Sequence, residues 1–166
     1  MLSSPAPAPA VTAPLREQRA RLRETLAAIG DRVGALAGLG ADGAAAEMRA
    51  IVAALDACLR PHLAWEERTL HPVVDKYACE GPAAFSASMR YEHDIIHRWS
   101  AELARRSGGD PRAFARHADR LLGVVLAHFE LEEHVLFPIL DRTLGREAYR
   151  AQVGDPPPAS DRRGSS

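Results

Sequence analysis

Three pairs of residues in this chain are spaced so that they could do chemistry together: His62 and Glu66, His93 and His97, His128 and Glu132. On an α-helix, residues four apart lie one turn apart on the same face. Each of these faces is otherwise apolar. Behind His128 come Val125, Leu121, Ala118 and Phe114, and beyond it Val135, Leu136 and Ile139. Imidazoles and carboxylates are rare at core positions unless they are paired or hold a metal. Mixed imidazole and carboxylate ligation suits iron, zinc, manganese or copper.

Two of the pairs belong to an internal repeat. His62 to Asp75 reads H-x3-E-E-x2-L-x-P-x2-D, and His128 to Asp141 reads the same. The repeat carries titratable residues as well as apolar ones, so coincidence is a poor explanation. A lone histidine on an apolar face reads as a packed core residue, and a lone glutamate as a surface charge. All six residues on three converging faces need a common partner, and a cation supplies one. The other histidines fall outside this set. His71 and His134 are out of phase with the ligand face, and His117 precedes His128 by about three turns. All three read as surface or packing residues. Glu67 and Glu133 read as solvated neighbours of the ligands, with Glu133 the alternative to Glu132 if its helix rotates.

These residues must be positioned by helices. Pro14 suits a first helical turn, and Leu15, Gln18, Leu22, Leu26, Ile29, Val33 and Leu36 follow at helical period until Gly38 and Gly40. Asp42 is the expected N-cap of a second helix, running to about Tyr77 with a kink or break at Pro61. Gly81-Pro82 turns into a third helix with Phe85, Met89, His93, Ile96, His97, Ser100 and Leu103 on one face. Ser107-Gly108-Gly109 closes it. Asp110-Pro111 starts a fourth helix, which runs to about Leu140, and Arg146 to Val153 forms a short helical piece. The sequence predicts an all-α fold, an up-down-up-down four-helix bundle over residues 14–142. Met1 to Ala13 reads as a disordered Pro/Ala-rich lead-in, and residues 143–166 as the short helix and a disordered tail.

Composition narrows the partners. The 166 residues carry 21 basic against 22 acidic side chains, so no basic patch argues for nucleic acid or a membrane surface. No stretch is long and apolar enough to span a bilayer. Cys58 and Cys79, without a secretion signal, read as reduced thiols in a cytoplasmic protein.

The motifs resemble the hemerythrin-like family, also called the hemerythrin HHE cation-binding domain. The resemblance rests on H-x3-E at His62/Glu66, H-x3-H at His93/His97, H-x3-E-E at His128/Glu132/Glu133, and L-x-P after each His–Glu pair, over about residues 14–142. It implies a four-helix bundle with a non-haem di-iron centre. One iron would keep His93, His97 and His128; the other would keep His62 with bridging Glu66 and Glu132. Zinc or manganese are further possibilities. The family's helix-1 histidine is missing. Aligning Arg16-Glu17-Gln18 with Tyr91-Glu92-His93 puts Gln18 in its place and leaves that coordination position open. The implied function is to react with or sense O2, peroxide or NO, as a metal-binding or redox-sensing protein rather than a dedicated enzyme. The alternatives are a mononuclear or metal-free structural or regulatory bundle, and an iron-homeostasis protein.

Overall fold

A computed structural model describes residues 10–77 and 84–159, and every regular element in them is helical. The expectations for Met1 to Pro9, for Cys79, for the Gly81-Pro82 turn, for the Phe85 side chain and for the tail beyond Ala159 lie outside the described residues. The first helix, α1 (Ala13–Ala35), ends in a 3-10 turn at Leu36–Gly38. A second rod consists of α2 (Ala41–Trp65), a π-helical turn at Glu66–Leu70, and α3 (His71–Tyr77). Next come α4 (Ala84–Arg106) and a fourth rod, made of α5 (Pro111–Leu131), a second π-turn at Glu132–Leu136, and α6 (Phe137–Thr143). A short α7 (Arg146–Gln152) follows.

Local chemistry explains the starts of α5 and α1. Asp110 accepts from the backbone N–H groups of Arg112 and Ala113 at 3.3 and 2.9 Å, satisfying two donors that the first turn of α5 leaves open. Asp42 does not cap α2: the N-cap is Gly40, and Asp42 lies in the first turn, where its charge complements the helix dipole. Pro61 does not break α2 either, which continues helical to Trp65. The start of α1 is tied down rather than loose. Thr12 is fully buried, and its N–H and hydroxyl both donate to the Asp141 carboxylate at 3.0 Å.

Residue pairs along neighbouring helices run in opposite senses. Arg19 meets His62 and Arg32 meets Glu47 between α1 and α2. Glu92 meets His128, and Trp99 meets His117, between α4 and α5. The buried apolar residues form two clusters. The larger includes Leu22, Ile51, Leu63, Ile96, Leu121, Val125 and Phe129. The smaller includes Leu15, Leu70, Val74, Phe137, Leu140 and, from α7, Tyr149. Between them lies a layer of buried polar side chains: Arg19 between Leu15 and Leu22, Glu66 between Leu63 and Leu70, Glu132 between Phe129 and Leu136. Cys58 is buried with a free thiol that donates to the Leu55 carbonyl, and burial pushes its pKa up to about 11. Among the described residues, no helix is long and apolar enough to cross a membrane.

Candidate metal centre

The two π-turns decide which side chains enter the polar layer. Each begins at the glutamate of an H-x3-E pair, and each closes with an N–H bonding back five residues: His71 to Glu66, and Phe137 to Glu132. A π-turn holds one extra residue, so everything beyond it rotates by about 100° relative to a continuous α-helix. The prolines fit this arrangement. Pro138 has no N–H for the carbonyl five residues back, and the Glu133 carbonyl accepts instead from Arg16 at 3.5 Å. The rotation leaves Val135 exposed, although α-helical period pointed it inward, and buries Phe137 and Leu140.

Five of the six expected residues converge. His62, Glu66, His93, His128 and Glu132 are each at most 2 % exposed. Glu66 stands in the middle. Its Oε1 lies 2.8 Å from His62 Nε2, and its Oε2 lies 3.3 and 3.7 Å from Nε2 of His93 and His128. Glu132 Oε2 is 3.8 Å from His128 Nε2. These atoms form two overlapping sets, Glu66 with His93 and His128, and Glu66 with His62 and Glu132.

The sixth residue, His97, is exposed and does not join them. It lines a groove of about 570 Å³ with Arg49, Asp56 and Arg60. One turn beyond His93, α4 has already carried it out of the polar layer. Gln18 is also elsewhere. Its amide donates to the Pro157 carbonyl, so the Pro156–Pro158 stretch, expected as loose tail, lies against α1 at this point. The next residue, Arg19, turns inward. Its guanidinium bonds His62 Nε2 with one terminal nitrogen, and with the other donates to both Glu66 Oε1 and Glu132 Oε2. It also stacks over Phe129, 4.4 Å from the ring centre. The repeat alignment missed this by one residue, about 100° on the helix.

His71, expected on the surface or in packing, is 1 % exposed and tilted against His93 with ring centres 5.0 Å apart. Among the described residues neither of its ring nitrogens has a hydrogen-bond partner. The π-turn is what brings it inside, and Pro72 is the only sequence signal for that turn. His134 is exposed, and His117 bonds the Trp99 carbonyl, both outside the layer.

Two glutamates orient the imidazoles from behind. Glu67 takes Nδ1 of His93 and Glu92 takes Nδ1 of His128, both at 2.8 Å. Glu133 does not do this; it pairs with Arg23 at 3.4 Å. With Nδ1–H committed to a carboxylate, each ring presents an Nε2 lone pair inward. Those two Nε2 atoms are 3.2 Å apart. Two lone pairs cannot face each other so closely without a cation between them, either a proton or a metal ion.

The electrostatics divide the layer. Burial, then the charge of Arg19, pushes His62 down to about 4, so it is neutral. Burial would raise Glu66, but Arg19 and His62 outweigh it and hold the carboxyl well below its ordinary range. Burial opposes the charge on His128, yet Glu132, Glu66 and Glu92 push it up to about 10. Burial, only partly offset by Arg19 and reinforced by Glu66, lifts Glu132 to about 7. The donor chemistry of Glu66, His93 and His128 therefore fits a metal ion. In the set of His62, Glu66 and Glu132, a guanidinium already takes His62 Nε2, Glu66 Oε1 and Glu132 Oε2, while Glu132 Oε1 has no partner among the described residues.

The sequence profile of the hemerythrin HHE cation binding domain matches residues 11–140. The chain belongs to that family. The match takes in every residue of the polar layer, and family membership supports cation binding by its buried His and Glu groups. No curated protein and no solved structure matches this hemerythrin-family chain.

Proposed function

We propose that this hemerythrin-family chain, read as an up-down-up-down four-helix bundle, holds a metal ion between Glu66, His93 and His128 and meets a small ligand there: O2, peroxide or NO. What carries the reading is the pair of imidazoles held from behind by Glu67 and Glu92 with their Nε2 atoms 3.2 Å apart. Iron is the metal chosen, with manganese or zinc also compatible with two nitrogens and an oxygen. When bound, iron would supply one-electron chemistry and an open coordination position. The chain supplies the rest. Glu67 and Glu92 fix the tautomers, Glu66 brings a negative charge, and the apolar clusters on either side keep bulk water out. His71, buried beside His93 with ring nitrogens that have no partner among the described residues, is placed to accept a hydrogen bond from a ligand or water, or to donate one.

A second reading is a metal-free regulatory bundle, favoured by the closed pairing of Arg19 with Glu66 and Glu132. In that case a protonated His128 donates Nε2–H to His93, and the layer serves only the fold. Metal content separates the two readings. Protein purified from iron-replete cells should carry iron, show ligand-to-metal absorption that changes in air, and lose both on His128→Ala. Metal-free wild type that stays empty after anaerobic loading would decide for the second reading.

A further inference from the structure

We infer that Arg19 is the second cation of the centre: its guanidinium permanently fills the His62–Glu66–Glu132 half and restricts this chain to a single metal ion. The inference rests on the metal reading above and sets its count. The ligand atoms of His62, Glu66 and Glu132 lie within 4.8 Å of one another, close enough to surround one ion. That space is taken. Arg19 bonds all three residues, and an ion cannot share the position with the nitrogens that do so.

Two further observations and a property of arginine support the guanidinium's place there. Arg19 is 1 % exposed on the third inward position of α1. The ring of Phe129 lies 4.4 Å under it and that of Phe137 5.8 Å away, so the cation is held by aromatic faces as well as carboxylates. An arginine also keeps its charge at any ordinary pH, whereas a lysine or histidine there could neutralise. Glu66 is then split between two cations, Oε1 to Arg19 and Oε2 toward the ion between His93 and His128. In this chain a fixed charge without redox chemistry stands where an ion would otherwise bridge to the first. His62 serves the guanidinium rather than a metal.

Anaerobic loading with Fe(II) or redox-silent Zn(II), followed by desalting and elemental analysis per chain, tests this. Wild type should hold one ion, His62→Gln should still hold one, and Arg19→His should hold two. Arg19→Gln, which removes the charge and is too short to hold the position of the guanidinium nitrogens, should also gain an ion and serves if Arg19→His does not fold. Two ions in wild type, loss of the ion in folded His62→Gln, or no gain in a folded Arg19 variant would each overturn the inference. An empty wild type would overturn the metal reading above. The inference about Arg19 is judged separately, by the difference between wild type and the Arg19 variants.

Discussion

At the scale of single residues, the buried imidazoles do different work, and variants should separate them. Glu67→Gln and Glu92→Gln keep shape but remove the carboxylate behind each imidazole, and each should weaken metal affinity by about 10–100-fold with little change in fold; competition against a chelator reads this. His71 should behave oppositely. The second repeat has Phe137 at the equivalent position, and burying ring nitrogens without partners costs about 1–3 kcal/mol. His71→Phe should therefore stabilise the metal-free protein by about 1 kcal/mol or more, measured by urea unfolding. The pH dependence of the metal-free protein follows from the shifts at this scale. His62 and His71 have folded pKa values near 4, below the ordinary imidazole value, so the unfolded chain takes up their protons first as pH falls. Glu132, raised to about 7, takes up a proton in the folded state and cancels one of them. His128, raised to about 10, is charged in both states below pH 6.5 and contributes nothing to the slope there. The net between pH 6.5 and 4.5 is about one proton, so stability should peak near pH 6.5, fall by roughly 2 kcal/mol by pH 4.5, and fall again above pH 6.5 as His128 loses a proton that only the folded state still holds there. Denaturation midpoints across that range check it; a flat profile would mean that the buried histidines are not neutral.

At the scale of elements, the π-turns set the register. Inserting one alanine after Leu136 would turn Phe137 and Leu140, both fully buried, by about 100° away from the smaller apolar cluster. Losing two such side chains from a core costs about 3–6 kcal/mol, so the insertion should lower the unfolding midpoint sharply, whereas deleting Val135 removes the extra residue, leaves both side chains on their present face and should cost far less. Phe137→Ala alone should cost about 3–5 kcal/mol. The π-turns also mark where the sequence stopped being legible. Helical period placed the stripes of α1 and α5 well, and the repeat singled out His62, Glu66, His128 and Glu132. Those residues all lie at or before the extra residue. Beyond it period misleads, as Val135 and His71 show. The errors at Gln18 and His97 have another origin. Both lie on stripes that are apolar on average, but a single helix turn separates a position facing the polar layer from one beside it. Only the neighbouring rods decide which is which. No spacing rule could have predicted Arg19, because a charged residue beside a stripe ordinarily reads as a solvated flank.

At the scale of the whole molecule, two apolar clusters hold a polar layer between them, and Asp141 closes one end. Its carboxylate receives both donors of Thr12, and Arg16 lies 3.3 Å away. Asp141→Ala should cost about 1–3 kcal/mol by leaving the buried Thr12 donors without an acceptor, and should speed hydrogen exchange in the first turn of α1 more than in α5. Adding metal should raise the melting temperature only by the increment RT ln(1 + [L]/Kd), on top of an already folded protein. That follows from Arg19. Clustered buried carboxylates ordinarily repel one another until a metal arrives, which makes the metal a condition of folding. Here the counter-charge is encoded in the chain itself. A molecule synthesised when metal is scarce can therefore mature without it, persist with its pocket already shaped, and take its ion later. Synthesis and loading become separate events in time, and the fraction loaded reports the metal supply rather than the amount of folded protein.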